Sequence, residues 1–214
     1  MYEHPIELIA VLFLLSLLPL FIIVSTSFLK FAVVLSLLRT ALGLQQVPPN
    51  MVIYGLAIIL SIYTMAPVVV KISDAFSKNE IHLKDEHLFH EVEDLILKPY
   101  TQFLKTNTNP QEAAFFMLVG PKIWKESLPI ALSKNSLCIL IPAFMVTQLT
   151  EAFKVGLLIN LPFLAIDLIV SNLLLAMGMM MVSPVTISMP FKLLVFILVG
   201  GWDLLIKQLL LSFQ

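Results

Sequence analysis

Leu173-Leu-Leu-Ala-Met177-Gly178-Met179-Met180-Met181-Val-Ser-Pro184 lies inside a long apolar tract, and its reading decides the fold. Residues 155–190 carry a single charged side chain, Asp167, so the tract far exceeds the run of about 20 apolar residues that crosses a bilayer. It must do more than cross once. Long, flexible thioethers sit beside Gly178, which loosens a helix, and ahead of Pro184, which breaks one. This pattern predicts a hairpin tip made of soft side chains, with the apolar arms running back against each other. Asp167, Asn160 and Asn172 are then expected to turn inward, because polar groups are costly against lipid.

Working outward, the chain is 59% hydrophobic and 13% charged, whereas an ordinary soluble domain carries about a quarter charged residues. That places it in the membrane class. A net charge of -1 and the absence of a basic tract give no sign of a nucleic-acid partner. Cys138 is the only cysteine, so it forms no intrachain disulfide and is expected to pack in a core. Residues 71–134 hold 8 basic and 9 acidic side chains, leaving 5 of each sign for the rest. Composition therefore divides the chain into an apolar front (1–71), a charged middle (72–136) and an apolar back (137–214). The first residues contain no Lys or Arg, unlike the basic start of a secretory signal peptide.

Residues 8–38 form an apolar run with Lys30 inside it. It would be about 46 Å long as one helix, with a kink expected at Pro19 and hydroxyls of Ser25, Thr26 and Ser27 near the bend. Two readings of Lys30 stand: a charge paired or hydrated inside the bundle, and a side chain snorkelling from a helix end. Gln45-Gln46-Val47-Pro48-Pro49-Asn50 reads as a turn, with Asn50 as N-cap of the uncharged stretch 51–70. Arg39 near that tip favours its lying on the cytoplasmic side. In the charged middle, residues 81–97 read as an amphipathic helix that Lys98-Pro99 ends. Asn109-Pro110-Gln111-Glu112 carries the signals of a helix start, and Gly120-Pro121 those of a stop. Residues 137–150 are short for a span and are expected to pack on protein. Residues 191–211 read as a last apolar helix whose Gly200-Gly201 suggests close helix approach.

Several constellations carry possible chemistry. His82, His87, His90 and Glu91 could put two or three ligands on one helix face, since 87, 90 and 91 are at i, i+3 and i+4, but the spacing matches no recognised zinc motif, and a solvated polar face is the plainer reading. Asp167 and Asp203 lie in separate apolar stretches, as an intramembrane aspartyl protease would require. Their flanking residues do not match the motifs of those enzymes, and no nucleophile elbow or phosphate-binding glycine loop is present. No enzyme and no cofactor are indicated. Glu151, Lys154 and Lys192 bracket the apolar hairpin, and an ion pair between Glu151 and Lys192 or Lys154 is expected to fix helix or subunit register. The alternative is that all three are hydrated at an interface. An ion-coupled secondary transporter using Asp167, Glu151 and Lys30 is the rival function. Such a protein would need a midplane site and usually repeated halves, and the halves here show no clear repeat.

Ser27-Phe-Leu-Lys30-Phe-Ala-Val-Val-Leu-Ser-Leu-Leu-Arg39-Thr-Ala-Leu-Gly43-Leu-Gln-Gln-Val-Pro48-Pro-Asn50 resembles the signature of the type III secretion export-apparatus R subunit, known in flagella as export protein P. The likeness continues through Leu149-Thr-Glu151-Ala-Phe-Lys154, Leu161-Pro162-Phe-Leu-Ala-Ile-Asp167 and Met177-Gly-Met-Met-Met181-Val-Ser-Pro184, and it covers almost the whole chain. The resemblance implies an all-α subunit: membrane-associated helical hairpins with Pro-kinked long helices and a helical periplasmic insertion. It implies a homo-pentamer joined by S and T subunits, with a U subunit beside them, forming an inner-membrane portal for exported proteins. Lipid would border the complex, most of which would stand on the periplasmic side. It also assigns the closed pore's seal to Met177, Met179, Met180 and Met181.

Overall fold

A computed structural model describes residues 5–78, 96–124 and 136–213. Among these residues the chain is all-α, without strands. Eight helices follow one another: α1 (Pro5–Ser25), α2 (Phe28–Ala41), α3 (Asn50–Lys78), α4 (Lys98–Thr106), α5 (Pro110–Trp124), α6 (Leu137–Ala176), α7 (Pro184–Leu198) and α8 (Gly201–Leu211). By packing they form two compact units, one of residues Met1–Leu29 with Val70–Thr147, the other of Lys30–Val69 with Gln148–Gln214. This grouping differs from the three segments that composition suggests. Charge follows exposure to water, whereas packing follows which apolar faces meet.

In the first unit, Tyr100, Phe103 and Leu104 of α4 recur at helical spacing and meet Leu137, Leu140, Ile141 and Phe144 of α6. The Phe103 and Phe144 rings lie 5.9 Å apart. Pro99 sits in the first turn of α4, where its missing N–H costs nothing, so Lys98-Pro99 opens a helix. Asn109 caps α5 as expected: its Oδ1 accepts the Gln111 N–H at 2.9 Å. Its own N–H donates to Thr147 Oγ1 at 3.1 Å. Pro121 does not stop α5, which continues to Trp124. Most of the 81–97 stretch lies outside the described residues, as do His82, His87, His90 and Glu91.

The front apolar run breaks at Thr26 and Ser27, while helix continues across position 19. Hydroxyls take over the unpaired donors there: Thr26 Oγ1 accepts the Phe28 N–H. At the other end of α2, Gly43 adopts a left-handed φ of 78°. The Gly43 N–H reaches the Thr40 carbonyl and the Leu44 N–H that of Arg39, at 3.0 and 3.1 Å. This paired closure satisfies carbonyls that the helix end leaves open. Asn50 is the first helical residue of α3, and the Pro49 carbonyl takes the first bonds of that helix. The Asn50 side chain instead accepts from Arg39 Nη1 at 2.6 Å, tying the turn to α2.

In the second unit, α2 buries Phe31, Val34, Leu35 and Leu38, and α3 buries Ile53, Ala57 and Leu60 at matching helical intervals. Gly156 of α6 faces Leu37 so closely that a Cβ there would strike the Leu37 side chain. The helix α6 does not break near Glu151: it runs 40 residues, about 60 Å, through Pro142 and Pro162. Cys138 at its start is exposed, contrary to the expected core position. The last apolar stretch is two helices bent by 64°, because Gly200 takes a left-handed φ of 67°. Gly201 is then packed against the Phe196 ring. Among the described residues, α3 and α6 are long and apolar enough to cross a membrane, yet only 28% and 17% of their most apolar windows are buried. Their outer faces need lipid or protein to cover them.

Candidate functional site

The hairpin formed by α6 and α7 turns over residues 177–183. Its sharpness comes from Gly178, whose φ of 73° is costly for any residue with a Cβ. The Gly178 N–H bonds to the Leu175 carbonyl at 3.0 Å and the Met179 N–H to that of Leu174 at 2.9 Å, closing the end of α6. Ser183 is extended and Pro184 occupies the first turn of α7, where its fixed φ suits a helix start. Backbone bonds thus define the turn and leave the thioethers uncommitted. Met177 is 69% exposed, Met180 81% and Met181 fully so, with Met179 at 43%. Within the single chain these side chains are not core.

Behind the tip the arms are joined by a polar cluster. Lys192 Nζ is buried and donates to Asp167 Oδ2 at 2.7 Å and to the Ala41 carbonyl at 3.2 Å. Ser188 Oγ donates to Asp167 Oδ1 at 2.5 Å. Ser188 and Lys192 are four residues apart, hence on one face of α7, and Asp167 presents its two oxygens to them from α6. Ala41 is the last residue of α2, whose final carbonyls carry the negative end of the helix dipole and lack intrahelical donors. One ammonium therefore neutralises a carboxylate and caps a third helix. Asn160 is half-buried, whereas Asn172 is exposed and does not turn inward.

A second buried cation lies on α2. Lys30 is 1% exposed and donates to Glu151 Oε2 of α6 at 2.5 Å, and its Nζ stands 4.6 Å from the centroid of the Phe213 ring. Phe213 also packs on Phe31, with centroids 5.4 Å apart. Of the two sequence readings of Lys30, this is the paired one. The partners differ from those expected: within the chain Glu151 meets Lys30, and Lys192 meets Asp167, so Glu151 pairs with neither Lys192 nor Lys154. Lys154 is exposed and has no ion-pair partner among the described residues. Asp203 pairs with Lys207 one turn on, at 2.7 Å and in the open, so each of the two apolar-stretch acids is engaged by its own lysine. Among the described residues no three His, Cys, Asp or Glu side chains gather to hold a metal. Sequence reasoning passed over Ser188, the Ala41 carbonyl and Phe213. Only Ser188 left a signal, its spacing of four from Lys192.

Buried charges tying helices behind a soft tip are the features that the family motifs carry, and comparison with known proteins identifies that family. A model of the FliP family matches residues 11–209. The chain belongs to the FliP family. Lys30, Glu151, Asp167, the methionine tip and Lys192 all fall inside the matched span. Among curated relatives, "Virulence protein YscR" of Salmonella typhimurium is 53% identical over 212 residues, covering 99% of this chain and 98% of that protein. "Yop proteins translocation protein R" of Yersinia pestis is 53% identical over 208 residues, 97% of this chain and 96% of the relative. "Harpin secretion protein HrcR" of Erwinia amylovora is 40% identical over 200 residues, 93% and 92% of the two chains. The likeness of the 27–50 motif to the type III secretion R subunit is thus family membership along almost the whole chain.

Proposed function

We propose that this protein is the pore-forming R subunit of a type III secretion export gate, a transport component and not an enzyme. It assembles as a pentamer with S and T subunits, beside a U subunit, and passes unfolded proteins across the bacterial inner membrane. The observation that carries this reading is the methionine tip: four exposed thioethers on a turn whose backbone is closed by its own hydrogen bonds. A passage for unfolded chains must admit many side chains yet hold back ions. Unbranched, polarisable thioethers from symmetric tips can close such a passage by repacking, without a rigid fit. A dry constriction of this kind also excludes ions by dewetting. Relatives named for virulence, Yop translocation and harpin secretion support the export role. The uncovered apolar faces of α3 and α6 suit neighbouring subunits and lipid. In this reading the assembly protrudes on the periplasmic side, with the Arg39 turn toward the cytoplasm.

The test is conductance of the purified complex in planar bilayers after Met177, Met179, Met180 and Met181 are changed to Ala. The complex is expected to assemble in normal yield and to leak small ions. Core packing would instead cost about 2 to 5 kcal/mol per truncated Met and lower the yield. A complex formed in normal yield and as tight as the parent overturns the proposal.

A further inference from the structure

We infer that Ser188 is a positioning residue for the methionine seal: its hydroxyl bond to Asp167 sets the height at which α7 leaves the hairpin turn, and so the level at which the thioethers stand. The inference rests on the proposed pore reading. Ser188 is 0% exposed, so its contacts are interior to the chain whatever the chain assembles with. Its Oγ donates to Asp167 Oδ1 at 2.5 Å, and the other carboxylate oxygen takes Lys192 Nζ at 2.7 Å. These two donors differ in what they tolerate. An ammonium on a flexible four-carbon stem can follow a carboxylate as two helices slide. A hydroxyl carried directly on Cβ cannot, because a slip of one helical turn is about 5.4 Å and an O–H···O bond reaches only about 3.0 Å. Lys192 therefore supplies charge, and Ser188 supplies register.

That register is set close to the tip. Pro184 opens α7, so Ser188 begins its second turn, and the same hydroxyl reaches the Val185 carbonyl in the first turn at 3.2 Å. On its other side this part of α7 rests on the end of α2, where a Cβ at Gly43 would lie 3.6 Å from Val185 and 3.9 Å from Met189. The backbone bonds of Met177, Gly178, Met179 and Met180 fix the shape of the turn. They do not fix its height, which follows from where the two arms are joined. Among the described residues, Ser188 is the side chain of α7 nearest the turn that hydrogen-bonds to another helix. Symmetric tips close a dry constriction only when their apolar side chains meet at one level, so a loosened register admits water and ions.

The experiment records small-ion conductance of the purified complex in planar bilayers, with assembly yield and detergent unfolding beside it. Ser188→Ala is expected to assemble in parental yield, to lower the folding constant about tenfold, and to raise conductance severalfold. Ser188→Thr, which keeps the hydroxyl, should return conductance to the parental level. In the variant with Ala at Met177, Met179, Met180 and Met181, adding Ser188→Ala should not increase the leak further, because Ser188 acts through the tip. A Ser188→Ala complex as tight as the parent overturns the inference. So does a collapse of its assembly yield, which would make Ser188 a fold element alone. A Thr complex that leaks as the Ala complex does, or an added leak in the tip variant, overturns it as well. The two ideas separate cleanly: if the tip variant leaks while Ser188→Ala stays tight, the pore reading stands and the positioning role falls. If the tip variant is tight, the pore reading falls and takes the positioning role with it.

Discussion

Replacing Lys192 by Met keeps most of the side-chain volume and removes the ammonium that joins α7 to α6 and α2. At 2.7 Å the gross attraction is about 6 kcal/mol with an effective dielectric of about 20, and most of it is offset by the hydration both groups regain on separation. Breaking a buried pair from one side costs about 3 to 5 kcal/mol. Asp167 retains 28% side-chain exposure, so water relieves part of its isolation and the lower end applies. The Ala41 carbonyl also loses its donor, adding about 1 kcal/mol. The expected loss is about 3 to 4 kcal/mol, or two to three orders of magnitude in the folding constant. Asp167→Leu should cost as much or more, since it strands an ammonium that is 4% exposed. The double variant should recover most of the loss, because an apolar pair replaces the charges without leaving one buried alone. Detergent titration from mixed micelles, followed by tryptophan fluorescence, gives the three differences. If the single costs simply add, leaving coupling within about 0.5 kcal/mol of zero, the two groups do not act as a pair and the reasoning is refuted.

Two further outcomes use the same unfolding measurement. Gly201→Ala drives a Cβ into the Phe196 ring, which Trp202 contacts edge-on at 5.6 Å, so a loss of about 1 to 3 kcal/mol is expected. Gly55→Ala, with nothing within 4 Å, should instead gain up to about 1 kcal/mol of helix propensity. A Gly201 variant as stable as the parent would show that the ring yields freely. Burial holds the Tyr100 phenol above its ordinary value of 10.0, and the hydroxyl donates to the Ser25 carbonyl at 3.0 Å. The folded chain thus keeps its proton where the unfolded chain has lost it. Stability from this group is fully present below about pH 10, falls as pH rises past that value, and levels off above the folded value. Phenolate absorbance and unfolding at successive pH values should show the fall in the parent and less of it in Tyr100→Phe.

The parts of the fold that were legible are those fixed by local chemistry. Gly178 followed by Pro184 required a turn, and Asn109-Pro110 required a helix start, because each pattern satisfies backbone groups that nothing distant can supply. Proline misled where its position in a helix, not its presence, decides its effect: Pro121 is carried within α5. Residues 137–150 read as a short stretch of their own because Glu151 is a charge in an apolar run, yet they are the start of the 40-residue α6. The helix continues because Lys30, 121 residues away in the chain, supplies the partner.

The same physics set the limit at the candidate site. Composition showed that Lys30, Glu151, Asp167 and Lys192 could not be left bare in apolar surroundings, but desolvation demands only some partner and names none. With two lysines and two acids of similar reach, choice belongs to helix register: Ser188 and Lys192 share the face of α7 that meets Asp167, while Lys30 on α2 lies at the height of Glu151 on α6. Gly156 admits α2 close to α6 beside that pair, a contact visible only once the two helices are placed. The methionines were the opposite case. The proposed seal needs soft side chains and no partner inside the chain, so five residues of sequence already showed the turn that the structure places at the end of the hairpin.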